Sequence, residues 1–298
     1  MNKQYEQVAI RVSRISIIGN IALTAFKLFA GIYSHSAAMV SDAIHSLSDV
    51  LGSFIVIIGV KLANQKSDKE HPYGHERLEC VAAIILSLIL VTTGLAIGKV
   101  GVERIISGNY DEIMVPGFLA LVAAITSIVV KEAMYWYTRI PAKKFDSTAL
   151  MAEAWHHRSD ALSSVGSFAG ILGARMGFPI LDSIASVVIC LFILKVAFSL
   201  FMDAIGRMTD KACSDEIIDE FRKVILVQKD VIKIDDLKTR IFGSRIYVDA
   251  KVSTDGAASF REAHNVAKRV RQAIEAEFPK VKHCMVHMNP CVDEKNDY

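Results

Sequence analysis

Several features of enzymes and secreted domains are missing from this chain. Its five cysteines, Cys80, Cys190, Cys213, Cys284 and Cys291, form no CxxC pair and scatter along its length. That speaks against a disulfide framework and fits a reducing, cytoplasm-facing setting. There is no HExxH helix, which an intramembrane zinc protease would need, and no Walker-type loop for ATP-driven pumping. The N-terminus MNKQYEQVAIRVSRIS lacks a short apolar core followed by a small-residue cleavage site. The first apolar stretch is therefore expected to stay in the mature protein. The formal net charge is only +2, so no strongly basic surface argues for nucleic acid. Solenoid-type repeats and low-complexity segments are also absent.

What the chain does have is 52% hydrophobic residues together with 22% charged ones. An average both apolar and charged implies two unlike parts. A helix needs about 20 mainly apolar residues to cross the hydrocarbon core. Six stretches come close: Ile10–Tyr33, Ala37–Leu62, Leu78–Val102, Ile113–Tyr137, Thr148–Met176 and Ile180–Arg207. The second and fifth are the least purely apolar, and they carry the ionisable groups. Lys3, Arg11 and Arg14 precede the first stretch, Lys61, Lys66, Lys69 and Arg77 follow the second, and Arg139, Lys143 and Lys144 follow the fourth. The positive-inside rule puts these segments, and both termini, in the cytoplasm.

After Met208 the character changes, giving expected domains of 1–208 and 209–298. SDEIIDEFRKVILVQ has helical apolar spacing with Ser214 as N-cap. IKIDDLKTRIFG and SRIYVDAKVS read as strands joined by a turn at Gly243–Ser244. SFREAHNVAKRVRQAIEAEF reads as an amphipathic helix stopped by Pro279, and VKHCMVHMNP as a last strand. The fold class expected is a membrane all-α six-helix domain plus an α+β C-terminal domain, an α-β-β-α-β open-faced sandwich. At roughly 80 residues that sandwich is near the low end for a self-sufficient core, so it is expected to lean on a second copy of itself.

Two motifs carry the chemistry. His45 and Asp49 in HSLSD are four residues apart, as are His156 and Asp160 in AWHHRSDALSS. On a helix each pair lies on one face, one turn apart. Two such helices facing each other offer two imidazoles and two carboxylates, a donor set that suits Zn²⁺. Ionisable groups inside a membrane are costly and mark ion pathways by default. Asp42 and His157 lie near the pairs and are read as mouth-lining or structural. In the loop KSDKEHPYGHERLE, Asp68, His71 and His75 are spaced to gather around a cation, although a solvated polar loop would look the same.

The paired His-x-x-x-Asp motifs, the HPYGHERLE loop, the six spans and the terminal α-β-β-α-β domain together resemble the cation diffusion facilitator family over essentially the whole chain. The resemblance is to its bacterial branch of ferrous-iron, zinc and magnetosome-membrane members. It implies a homodimeric antiporter that exports Zn²⁺ or another divalent transition metal (Fe²⁺, Cd²⁺ or Co²⁺) in exchange for protons, by alternating access, in a bacterial inner or magnetosome membrane. It makes His45, Asp49, His156 and Asp160 the transport site, and Asp68, His71 and His75 a loop site. Arg77 and Asp210 would interlock charges at the dimer's membrane base, although Arg77 alone reads simply as a positive-inside residue. The C-terminal domain would be metallochaperone-like. His264 and His287 sit where family ligands occur, with Asp235 and Asp249 as additions. Ala250 and Asn289 stand where some relatives have His and Asp, which leaves a weaker site shared by Asp249, His264 and His287. His283 and Cys284 read as ordinary strand residues. A competing reading is a membrane-anchored sensor or assembly protein that binds cations without moving them. The intact quartet argues against it, since an anchor has no need of four ionisable groups at matched depths.

Overall fold

The computed structural model describes residues 2–33, 37–107, 118–175 and 180–291. The side chains of Asp42, His45 and residues 166–175 lie outside that description. The chain divides into two compact units, one ending at Ile205 and one starting at Gly206.

The first unit is built from six long helices, α1 (Asn2–Tyr33), α2 (Ala37–Ala63), α3 (Leu78–Ser107), α4 (Phe118–Phe145), α5 (Thr148–Arg175) and α6 (Ile180–Met208). Among the described residues, three segments are long and apolar enough to cross a membrane by composition alone: Gln4–Ala30, Leu78–Ser107 and Val187–Met208. The helices outside these three include α4 and α5, which are rich in ionisable residues. Three helices run five or more residues past the apolar stretches predicted, α3 ending at Ser107 rather than Val102. α1 begins at Asn2 rather than near Ile10, because Tyr5 and Ala9 continue its buried stripe. α4 continues past Tyr137, through Pro141, to Phe145. Hydrocarbon length sets the apolar run but does not set where a helix stops.

The packing of this unit is inside out relative to a water-soluble bundle. On α1 the buried side chains Ser13, Ser16, Asn20, Leu23 and Lys27 recur every three or four residues, while Ile15, Ile18, Ile21, Phe29 and Ile32 are exposed. α6 exposes Val188, Leu191, Phe192, Phe198 and Met202. A contiguous apolar exterior around a polar interior is favourable only when the surroundings are lipid. Small residues bring the helices close. A Cβ on Gly59 of α2 would lie 2.5 Å from the Ala82 Cβ of α3, the small-residue contact on which membrane helix packing depends.

The second unit contains α7 (Asp215–Leu226), β1 (Lys233–Phe242), β2 (Arg245–Asp255), α8 (Phe260–Glu277) and β3 (Val281–Cys291). The sheet order is β1-β2-β3, with β1 antiparallel and β3 parallel to the central β2. Ser214 sits at the N-cap position of α7 but makes no side-chain cap bond. Ser259 and Glu262 cap α8 reciprocally. Alternate residues of β2 (Ile246, Val248, Ala250, Val252) pack with Val266, Val270 and Ile274 of α8 and with Phe221 and Ile225 of α7 in one core. The helices cover one face, and the other face of the sheet carries Asp249, Lys251 and His287.

Asp235 ties the three strands together. Its Oδ2 accepts from Ser253 of β2 at 2.6 Å and from Asn289 of β3 at 2.9 Å. The Ser253 hydroxyl, followed by the Asn289 amide, holds this carboxyl below the usual carboxylate range.

Two outcomes are expected. Gly59→Val should lower the thermal midpoint of detergent-purified protein, since overpacking a close contact costs about 1–3 kcal/mol. The stability difference between wild type and Asp235→Ala should hold steady above the unfolded carboxyl value of about 3.9 and shrink as pH falls below it, because the folded form binds its proton later. Far-UV dichroism of the full chain across pH measures it.

Candidate metal centre

α2 carries Asp49 and α5 carries His156 and Asp160, with the last two on one face a turn apart. The structure brings these three together: one ligand atom of each lies within 4.8 Å of the others. His156 Nε2 stands 3.3 Å from Asp49 Oδ1. All are out of reach of bulk solvent, with Asp49 3%, His156 3% and Asp160 7% exposed. His45 lies on α2 one turn before Asp49; its side chain is outside the described residues.

A fourth ionisable group in the cluster is one that the sequence reading passed over. Lys131 of α4 donates from Nζ to Asp49 Oδ2 at 2.6 Å and to Asp160 Oδ2 at 2.8 Å. It is only 1% exposed. The signal was present, since ITSIVVKEAMYWY places a lysine inside an apolar run. Attention to repeated His-x-x-x-Asp spacing does not find a residue that occurs once.

Around the cluster the interior is polar. Glu153, three residues before His156, accepts from Ser13 of α1 at 2.9 Å and from Ser53 of α2 at 2.5 Å. His157 Nε2 lies 3.2 Å from the Ser16 hydroxyl. Where α1, α3 and α5 begin, the Tyr5 hydroxyl donates to Glu79 at 2.9 Å and lies 2.8 Å from the Ser147 hydroxyl. On another side Lys27 donates to Ser46 at 2.8 Å. It also lines a cavity of about 30 Å³ with Ser46, Asp49, Thr93, Ser127, Lys131, Asp160, Ser163 and Ser164.

The loop residues also converge. Asp68, His71 and His75 present ligand atoms within 4.8 Å of one another. His71 Nδ1 is 3.3 Å and His75 Nε2 3.5 Å from the Asp68 carboxylate. The turn is built by Asp68 itself, whose Oδ1 accepts from the backbone N–H of His71 at 2.6 Å and of Glu70 at 3.0 Å. Gly74 then takes a φ of 99°, a conformation side chains avoid. The His71 N–H, more than the imidazoles, holds the Asp68 carboxyl below its ordinary value. Asp68 and His71 are exposed and His75 is buried, so this trio meets solvent where the other does not.

The residues named for the weaker C-terminal site stand on three elements, Asp249 on β2, His264 on α8 and His287 on β3. Asp249 is opposite Met285 and His287 opposite Lys251, two register positions apart. His264 stands on α8, which packs against the other face of the sheet. Among the described residues no trio of ligands includes Asp249, His264 or His287. Asp235 is occupied as the strand clasp described above. Cys284 points into the core, and burial pushes its thiol up to about 12. His283 is exposed, its ring 5.7 Å from that of Tyr247. Arg77 precedes α3, and Asp210 follows α6 at a turn with φ 60°.

Long helices with lipid-type exteriors around a buried cluster of carboxylates, imidazole and ammonium define a membrane protein that handles cations. Comparison makes the class specific. Residues 13–208 match the family model of the cation efflux transmembrane domain, and residues 213–291 that of the cation efflux protein cytoplasmic domain. The chain belongs to the cation efflux family, whose members are divalent-metal transporters and not enzymes. It is 39% identical over 275 residues to the uncharacterized transporter MJ0449 of Methanocaldococcus jannaschii, covering 92% of this chain and 96% of that one. It is 31% identical over 301 residues to the manganese efflux system protein MneP of Bacillus subtilis, covering 99% and 100%. It is also 31% identical over 271 residues to the magnetosome protein MamB of Magnetospira sp., covering 91% and 92%.

Thiol accessibility gives a direct check on the C-terminal placement. A maleimide at neutral pH should label Cys291, which is half-buried, and leave Cys284 unmodified until the protein is denatured. Mass spectrometry of the peptides reads it, and equal labelling of the two would contradict the strand register.

Proposed function

We propose that this protein exports divalent transition-metal cations from the cytoplasm in exchange for protons, as a homodimer with both termini cytoplasmic. Asp49, His156 and Asp160, with His45, form the transport site. The convergence of three buried ligand atoms from two helices within 4.8 Å supports this reading most directly. Asp68, His71 and His75 form a second, solvent-facing site, and Arg77 and Asp210 hold the membrane base of the dimer.

The chemistry follows from competition. A ligand must be deprotonated to bind metal, so metal and protons exclude one another. Imidazole changes charge near pH 6.5, within the physiological range. Metal arriving from the cytoplasm displaces protons from the site. After the helices rearrange, protons from the far side displace the metal. Two imidazoles and two carboxylates form a borderline donor set that favours Zn²⁺ over harder ions. Manganese is the second reading, favoured by the 31% identity to a manganese efflux protein over the full length of both chains and by the absence of a thiolate among the site residues.

Uptake of Zn²⁺ and Mn²⁺ into everted vesicles tests both. Uptake should rise when the lumen is acid relative to the outside and collapse when the gradient is dissipated. Asp49→Asn or His156→Gln should reduce it by about 100-fold or more, the scale expected when a ligand or its support is removed from a metal site. Uptake indifferent to the gradient would defeat proton exchange, and uptake that survives both substitutions would defeat the site. The sensor reading predicts metal binding with no flux.

A further inference from the structure

The buried carboxylate pair already has a cation. Lys131 Nζ lies 2.6 Å from Asp49 and 2.8 Å from Asp160, so a single ammonium bridges α2 and α5 from α4. It contacts the Oδ2 atoms of both carboxylates. Asp49 Oδ1 faces His156, and Asp160 Oδ1 has no hydrogen-bond partner among the described residues. A divalent ion bound by Asp49, His156 and Asp160 would come within a few ångströms of that ammonium in a weakly screened interior, where like charges repel strongly. The two cations cannot hold the carboxylates together.

There is room for one of them to leave. Ser46, Thr93, Ser127, Ser163 and Ser164 are among the residues that line the adjoining cavity. Ser127 stands one turn before Lys131 on the same helix and is 1% exposed, and its hydroxyl is without a partner among the described residues. Lys27, the other ammonium on the cavity wall, is held at Ser46.

We propose that Lys131 is a tethered counter-cation of the transport site: its ammonium holds the carboxylate pair when metal is absent, and metal enters by exchange as the ammonium swings into the adjoining serine-rich cavity toward Ser127. The inference rests on the reading of Asp49, His156 and Asp160 as transport ligands. The ammonium stays protonated throughout, and only its position changes. Cargo loading is then a substitution of one cation for another, and every metal binds more weakly than the donor set alone would allow. Lys131 therefore sets affinity and release, while the carboxylates and imidazoles set which metals are chosen.

The test is calorimetric titration of Zn²⁺ into the purified full-length protein, the site's share being the binding lost in Asp160→Asn. Lys131→Gln should bind Zn²⁺ tighter by on the order of tenfold, as loss of a like charge close to the ion implies. In proteoliposomes its KM for Zn²⁺ should fall together with its maximal rate. Lys131→Arg keeps the charge and grips carboxylates with a fork that is harder to displace, so it should bind Zn²⁺ more weakly than wild type. A merely structural lysine predicts weaker binding in both variants. If Asp160→Asn abolishes binding but Lys131→Gln binds no tighter, the counter-cation is overturned and the transport site stands. If Asp160→Asn binds like wild type, the site reading falls and this inference with it. Should Lys131→Gln not remain monodisperse, Lys131→Met, which also removes the charge, takes its place, and binding there no tighter than wild type overturns the proposal.

Discussion

Two carboxylates shut away from water must be matched by positive charge, and the helical unit is arranged around that requirement. Placing even one such group at the centre of a bilayer costs about 2.5–3.5 kcal/mol on insertion scales. Asp49 and Asp160 face each other from different helices and would repel without a cation between them. Lys131 supplies it from a third helix. The ion pair therefore acts as a joint among α2, α4 and α5, and whatever replaces the ammonium inherits that mechanical role. A pocket held closed by its own charged side chain differs from an open cavity lined with ligands. Binding there is bound up with how the three helices are held.

The remaining polar contacts separate fixed pairings from looser ones. Glu153 pins α1 and α2 to α5 through two serine hydroxyls, and His157 adds a second tie from α5 to α1. Tyr5 joins the start of α1 to Glu79 and Ser147. Buried polar networks that are well satisfied rigidify the elements they join. By contrast, α3 meets α6 through Leu90, Ile193 and Ala197, an apolar contact. Hydrogen bonds fix the position of a donor and an acceptor, whereas apolar surfaces between helices can slide at small cost. The α1–α2–α5 group thus forms the stiff frame that carries Asp49, His156 and Asp160.

Much of this was legible in the sequence because period and composition report it. The starts of α2, α3, α5 and α6 fall at the predicted Ala37, Leu78, Thr148 and Ile180, since each follows a polar or Gly-containing break. The strands β1 and β2 and the Gly243–Ser244 turn follow from alternation. The His156–Asp160 pair and its approach to Asp49 follow from i,i+4 geometry plus the cost of leaving such groups in lipid. Lys131 was missed because it makes sense only in three dimensions: nothing in VVKEA reveals that two other helices turn their carboxylates toward it. The placement of the C-terminal residues was hidden for a related reason. A histidine on an amphipathic helix and another on a strand look alike in sequence, yet the sheet lies between the faces they occupy.

A carrier's site faces a demand that a storage site does not, because it must let go. Two carboxylates and an imidazole shut away from water would form a strong chelate, and the affinity order among first-row metals would make it strongest for those most tightly held. A pathway works when binding is favourable enough to enter and weak enough to leave. A built-in competitor meets that demand without altering the donors. An ammonium that must be displaced subtracts nearly the same amount from the affinity of every divalent ion, because the repulsion depends on charge and distance and not on ligand preference. The order of preference survives while all affinities fall. Selectivity and turnover are then adjusted by different residues, which a set of ligands acting alone could not do.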